Sequence, residues 1–310
     1  MKNLLIILVG PTGVGKTDIS IEIARHFNYD IISADSRQFY YEMKIGTAVP
    51  DDHQLNTVRH HFVRFIPVTQ YYSASLYEKD VLQLLENYFI SKHVALLTGG
   101  SGMYIEAVCS GIDDIPDPDP AVRQKYISLF REQGIESLRI ALKLLDPGYY
   151  AKADLRNPKR MMRALEVCET TGRTYSSFLT QKKTGRDFRI LKTGLVRPRD
   201  ELYERIDRRV ERMIDEGLED EARALYGQRH LNALNCFGYN EFFDYFDGKT
   251  TREKAVELIK RNSRRYAKRQ LTWWNRDKDI RWFHPDQLKE IILYIETRTP
   301  ALGERAGEGE

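Results

Sequence analysis

Six consecutive apolar residues, Leu4 to Val9, run directly into Gly10-Pro11-Thr12-Gly13-Val14-Gly15-Lys16-Thr17, and from Asp18 onward apolar residues recur at helical spacing. A short unbroken apolar run bounded by turn residues reads as a strand buried on both faces, and the segment after it as a helix. Tyr29 to Ala34, Val94 to Thr98 and Phe188 to Val196 repeat the strand pattern. Leu76, Val81, Leu84, Leu85 and Tyr88 mark a helix between the second and third of these runs, and Ile206, Val210, Met213 and Ile214 form one face of a long helix opening after Arg199. Lys260, Arg261, Arg264, Arg265, Lys268 and Arg269 fall on one half of a further helix, with Ile259, Tyr266 and Trp273 on the other. This predicts a helix that packs by its apolar half and shows a basic surface. One more amphipathic helix follows Trp282. Strands alternating with helices predict an α/β fold, a parallel sheet core flanked by helices.

The alternation is interrupted once. Asp113-Asp114-Ile115-Pro116-Asp117-Pro118-Asp119-Pro120 is a stiff, extended linker by its prolines, and helical patterns follow almost without strands to about Lys183. The expected organisation is a discontinuous core, 1–114 and 189–300, carrying a mostly helical insertion at 115–188. Ala301 to Glu310, rich in Gly and Glu, is expected to be a disordered tail.

The turn after the first strand carries the sharpest chemistry. Gly10 to Thr17 matches G-x-x-x-x-G-K-[ST], a P-loop, between a buried strand and a helix, so the core is expected to be P-loop NTPase-like. The spacing suits phosphate. Gly10, Gly13 and Gly15 let the backbone curl so that successive N–H groups point inward, which makes the loop residues Thr12, Val14, Lys16 and Thr17 diphosphate-binding candidates with the three glycines, and the helix adds the positive end of its dipole. Lys16 then neutralises phosphate oxygens, and the Thr17 hydroxyl reaches a Mg²⁺ ion, the one cofactor expected.

Other strand ends face the same crevice in an open parallel sheet. Asp35-Ser36-Arg37-Gln38 follows the second strand, so Asp35 is a candidate general base; it is equally suited to cap a helix, and the two roles are compatible. Gly99-Gly100-Ser101-Gly102 follows the third, where glycines permit close approach of a ligand or simply a tight turn. Arg209 lies beside the apolar stripe of its helix while Arg205, Arg208 and Arg212 point further out; Arg209 either reaches a phosphate from the side opposite Lys16 or snorkels over the core. In the insertion, Lys159, Arg160 and Arg163 concentrate charge at a helix start, as a solvated face or a polyanion contact.

Composition narrows the field only slightly. With 310 residues, 42% apolar and 30% charged, the chain can bury a large core, and a net charge of +3 names no partner. Three scattered cysteines suggest neither a disulfide framework nor a zinc site, so a cytoplasmic location is expected. The N-terminal apolar run is too short for a membrane span.

Taken in order, Gly10 to Thr17, Asp35 to Tyr40, Gly46-Thr47-Ala48, Tyr72-Ser73-Ala74, Gly99 to Tyr104, Arg163 to Glu166, Gly217-Leu218, Gly238-Tyr239 and Ala267 to Trp273 resemble the motif series of the tRNA dimethylallyltransferases, up to about Trp282. Val49 stands where that family usually has lysine, and Ser101 where threonine is usual, keeping the hydroxyl. The resemblance implies transfer of a dimethylallyl group from dimethylallyl diphosphate to N6 of adenine 37, beside the anticodon of tRNA. Lys16, Thr17 with Mg²⁺, and Arg209 would hold the diphosphate leaving group, and Asp35 would take the proton from the amine. Contacts to the anticodon stem-loop are implied for Asp35, Ser36, Arg37, Gln38 and Ser101, for Arg123 and Lys159, Arg160, Met161, Met162 and Arg163, and for Asn235, Cys236, Phe237, Gly238, Tyr239 and Asn240. The enzyme is expected to act as a monomer. A P-loop kinase for a small molecule or nucleotide is the alternative, with Asp35 activating a hydroxyl and Arg123 or Arg209 as lid arginines. An ATP-driven RNA switch fits less well, because the third strand ends in Gly99-Gly100 rather than an acid.

Overall fold

The computed structural model describes residues 3–117, 119–180 and 184–299. The expected tail at 301–310 lies outside them, as do Pro118 of the linker and Lys183. In chain order the elements are β1 (Leu4–Val9), α1 (Lys16–Phe27), β2 (Ile31–Ser33), α2 (Asp52–Thr57), β3 (His60–His61), α3 (Ala74–Ser91), β4 (Val94–Gly99) and α4 (Gly102–Ser110). Next come α5 (Pro120–Leu145), α6 (Pro147–Tyr150), α7 (Pro158–Thr171), β5 (Arg189–Leu195), α8 (Arg199–Asp215) and α9 (Leu218–Leu225). The last are α10 (Tyr239–Phe246), α11 (Arg252–Trp274), β6 (Arg281–Phe283) and α12 (Leu288–Glu296).

The strands form one sheet in the order β3-β2-β4-β1-β5-β6, and every pairing is parallel. β1 is central, paired to β4 and β5, and none of its residues is more than 1% exposed. Its side chains alternate between two cores. Leu5, Ile7 and Val9 join Leu97, Tyr77 and Phe39 on one face, while Leu4, Ile6 and Leu8 join Leu96, Ile23 and Leu202 on the other. That double burial is why the strand reads as an unbroken apolar run. Because all strands run the same way, the turns after β1, β2 and β4 open at one edge of the sheet.

The chain divides into two compact units, Met1–Cys109 with Arg186–Glu310, and Ser110–Gly185. The smaller unit is helical. Its neck is closed where the Thr184 N–H donates to the Ser110 carbonyl at 2.8 Å, which sets its limits inside the segment expected from composition at one end and beyond it at the other. Tyr126, Leu138 and Leu142 of α5 pack on Met161, Ala164 and Leu165 of α7. Asp119 caps α5 and Asn157 caps α7, and both helices begin with proline in the first turn. Asp146, 1% exposed, accepts from the Tyr149 and Ser176 N–H groups and the Ser176 hydroxyl, which satisfies a charge that would otherwise be costly to bury.

Candidate active site

The phosphate loop is built from its backbone outward. Gly13 has φ +80°, and a Cβ there would stand 2.7 Å from Ile206 of α8, so both conformation and space require glycine. α1 starts at Gly15 with no side-chain cap, which leaves the N–H groups of its first turn for an anion. Arg197 Nε donates to the Val14 carbonyl and Arg205 Nε to the Gly13 carbonyl, each at 3.0 Å. Arg205 therefore grips the loop from outside instead of pointing away, a correction to its place on the helical wheel.

Lys16 Nζ folds over the loop and donates to the Gly10 and Pro11 carbonyls at 3.0 and 2.9 Å. Burial pushes its ammonium down to about 8; the Asp35 carboxylate works against that shift and Arg209 adds to it. Arg209 is likewise lowered by burial while Asp35 opposes the shift. Its Nη1 donates to the Thr12 hydroxyl at 3.2 Å and its Nη2 to the Thr47 carbonyl at 3.5 Å. So the two cations and Asp35 share one electrostatic neighbourhood: two desolvated positive charges with a single carboxylate between them in effect, which is a surplus suited to an anion.

A cavity of about 460 Å³ opens here. Thr12, Asp35 and Arg209 line it, together with Ile206, Val210, Met213 and Leu218, which supply an apolar wall. Phe237, Arg265, Tyr266 and Arg269 line it too, with Phe237 and Tyr266 rings 5.2 Å apart and Arg269 over Tyr266 at 5.6 Å. Burial pushes the Cys236 thiol up to about 11, so it is no nucleophile at neutral pH.

The strand-end residues divide into those facing the cavity and those holding it. Asp35 Oδ1 accepts from the Arg37 N–H at 3.3 Å, and Ser36 and Arg37 line the cavity with it. Ser101, 8% exposed, accepts from the Ser36 N–H at 2.9 Å and meets the Ser36 hydroxyl at 3.1 Å. Arg37 Nη1 is spent on the Asn232 and Ala233 carbonyls, and Gln38 Nε2 on those of Thr47 and Ala48. Asn235, Cys236, Phe237, Gly238 and Asn240 line the cavity, whereas Tyr239 is fully buried and gives its phenol to Glu221 at 2.7 Å. The side chain of Tyr239 is thus structural, a correction to its implied contact role.

In the helical unit, Lys159 and Arg160 are exposed and Met162 half-buried, but Met161 is fully buried in the α5–α7 core and cannot be a contact side chain. Arg163 donates to the Pro116 carbonyl at 2.7 Å, and Arg163 and Arg123 each lie 3.8 Å from Glu166, which is 3% exposed. Burial raises the Glu166 carboxyl and the two arginines oppose it.

The basic helix α11 also departs from its wheel. Its buried stripe is Ala255, Ile259, Ser263, Ala267, Gln270 and Trp274, while Tyr266 faces the cavity and Trp273 is 38% exposed. Small residues in that stripe let the helix approach closely, so the apolar half could not be picked out by hydrophobicity. Lys260 pairs with Glu211 and Arg264 with Asp207 of α8, leaving Arg265 and Arg269 at the cavity.

Two anchors have no role of their own assigned from the sequence. Gln270, inside the Ala267 to Trp273 motif, bridges the phosphate loop and the turn after β4. Glu221 of α9 accepts from the N–H groups of Lys44, Ile45 and Gly46 and from the Tyr239 phenol, so one carboxylate holds the Gly46–Thr47 turn that lines the cavity. A Glu221→Gln variant must aim an amide N–H₂ at one of these donors, and since bonds to a charged group contribute roughly 1.5–3 kcal/mol, a loss of about 2–3 kcal/mol in urea unfolding is expected. An unchanged midpoint would remove Glu221 as an anchor.

Among the described residues no cluster of three or more His, Cys, Asp or Glu side chains forms a metal centre, and no helix is long and apolar enough to cross a membrane. The Thr17 hydroxyl at the start of α1 is a hard oxygen donor of the kind Mg²⁺ accepts when phosphate oxygens and water complete its shell.

A parallel sheet whose first strand feeds a phosphate loop, with cationic side chains at the same edge, defines an α/β protein of the P-loop NTPase-like class. The sequence profile of the IPP transferase family matches residues 38–277, and the chain belongs to that family. It is 54% identical to tRNA dimethylallyltransferase 1 of Bacteroides fragilis over 292 residues, 94% of this chain and 97% of the relative. It is 52% identical to the protein of the same name from Bacteroides thetaiotaomicron, over 96% of this chain and 98% of that one. Among solved structures, the full-length tRNA isopentenylpyrophosphate transferase of Bacillus halodurans matches with a TM-score of 0.69 at 34% identity, covering 96% of this chain and 97% of its own. A eukaryotic dimethylallyltransferase acting on tRNA shares the fold, with a TM-score of 0.76 at 23% identity over 96% of this chain and 77% of its own.

Proposed function

We propose that this chain is a tRNA dimethylallyltransferase, moving a dimethylallyl group from dimethylallyl diphosphate to N6 of adenine 37 and releasing diphosphate. The observation that carries this reading is a single cavity lined at once by the phosphate-loop residue Thr12, by Arg209 and Asp35, by an aliphatic wall and by exposed arginines beside aromatic rings. A diphosphate ester of a small branched alkene needs Thr12, Arg209 and the aliphatic wall; an unstacked base on a polyanion needs the arginines beside aromatic rings.

In the reaction the C1–O bond of the ester breaks and a bond from N6 to C1 forms. The exocyclic amine is a weak nucleophile because its lone pair is delocalised into the ring. Asp35 orients it and accepts the proton it sheds, and Lys16, Arg209 and the free N–H groups of the first turn of α1 stabilise the charge that passes to the diphosphate. Mg²⁺, when bound with diphosphate, would be held by the Thr17 hydroxyl and would neutralise part of that charge. Lys159 and Arg160 are suited to tRNA phosphates by charge and exposure, and Arg123, half-buried beside Glu166, by charge. The kinase reading uses the same loop but leaves Arg265, Arg269 and the Phe237–Tyr266 pair without a task.

The direct test supplies Mg²⁺, unmodified tRNA and labelled dimethylallyl diphosphate, with ATP as competing donor. Label on tRNA without ATP is the expected result; phosphate transfer from ATP with no label on tRNA overturns the reading.

A further inference from the structure

Gln270 sits in the buried stripe of α11, 6% exposed, one residue from Arg269 at the cavity. Its Oε1 accepts from the Thr12 N–H at 2.8 Å and its Nε2 donates to the Gly100 carbonyl at 2.9 Å. An N–H on one side and a carbonyl on the other leave one orientation of the carboxamide that satisfies both. Gly100 leaves room for this contact: a Cβ there would stand 2.2 Å from Nε2, so a larger residue would displace the Gln270 amide, while the Gly100 backbone lies outside the left-handed region. Thr12 is then held twice, at its amide by Gln270 and at its hydroxyl by Arg209.

We propose that Gln270 is a positioning residue for the diphosphate site. It sets Thr12, and through Thr12 the Arg209 guanidinium, against the turn after β4, and it ties that grip to the helix that presents Arg265 and Arg269. The proposal rests on the reading that this loop holds a diphosphate. Bringing donors to fixed positions before the anion arrives is what makes them effective, so a loosened Thr12 costs affinity for diphosphate more than affinity for RNA.

Binding of inorganic diphosphate with Mg²⁺, measured calorimetrically, reads this without any turnover. In Gln270→Met, which keeps length and burial but no hydrogen bonds, affinity is expected to fall about tenfold, with KM for dimethylallyl diphosphate rising in step and KM for tRNA unchanged. Gln270→Asn keeps the amide but is too short to span both partners, and falls between. Gly100→Ala, which evicts the amide, is expected to lose as much as Gln270→Met, and the double variant no more than either alone. Diphosphate affinity within twofold of the parent in folded Gln270→Met, or losses that simply add in the double variant, would overturn the proposal. Should the substitutions unfold the chain, hydrogen exchange at the Thr12 amide of the parent decides: protection supports the bridge, and exchange at a free-loop rate removes it. If the parent transfers no prenyl group, the functional reading fails, while the diphosphate comparison still judges Gln270.

Discussion

Asp35→Asn is expected to lower single-turnover prenyl transfer by about a thousandfold, within the 10²–10⁴ that general-base catalysis contributes, while the protein stays folded and binds both ligands. The variant is nearly isosteric, and its amide oxygen still accepts from the Arg37 N–H, the contact that Asp35 Oδ1 makes at 3.3 Å. What it loses is the capacity to take the proton from N6. It also loses the one negative charge that acts on both Lys16 and Arg209. That charge opposes an incoming diphosphate, so diphosphate binding should tighten or hold even as turnover collapses. The combination separates a base from a residue that only holds the turn: no helix follows β2 before α2, so Asp35 caps none, and a turn-holding residue when lost would weaken the loop and both affinities together. Turnover within tenfold of the parent would remove Asp35 as the base.

Where the physics is local, the sequence was a good guide. β1 is buried on both faces and flanked by two partners, so its six residues must all be apolar, and the loop after it must be glycine-rich to curl. The α/β fold and the helices α1, α3 and α8 follow from such periods. β3 and β6 have two and three residues, too few to show any period, and they exist because a neighbouring strand offers free backbone groups. The inner face of α11 was hidden for another reason. Ala255, Ser263, Ala267 and Gln270 are selected for closeness and for one pair of hydrogen bonds, and hydrophobicity registers neither. Glu221 is similar: an acid in the first turn of a helix is the commonest of surface residues, and only the fold brings three backbone N–H groups and a phenol to it. A glutamine interrupting an otherwise small and apolar stripe is the signal that could have been read.

Lys16 makes the second large effect a matter of pH. Its ammonium, lowered from the usual 10.5 to about 8 by burial, is mostly charged at pH 7 and largely neutral by pH 9.5 before an anion binds. The sign of the linkage follows. In the ligand-free protein the unfolded chain holds this proton more tightly than the folded one, so Lys16 costs stability below about pH 8, and that cost is relieved as pH rises toward 10.5. Anion binding runs the other way, because a diphosphate restores what desolvation took from the charged form and therefore needs the proton present. An alkyl diphosphate completes its own ionisation near pH ~6, as other phosphate esters do, so it does not titrate in this window. Affinity for dimethylallyl diphosphate is therefore expected to be level from pH 7 to about 8 and then to fall, approaching about tenfold per pH unit for one linked proton. Lys16→Met should bind more weakly at pH 7 and show no such fall, and a level profile in the parent would exclude Lys16 as the titrating contact. Asp35 ties the two experiments together. Since its carboxylate holds the Lys16 ammonium up against burial, Asp35→Asn should start the same fall at a lower pH, whatever it does to turnover.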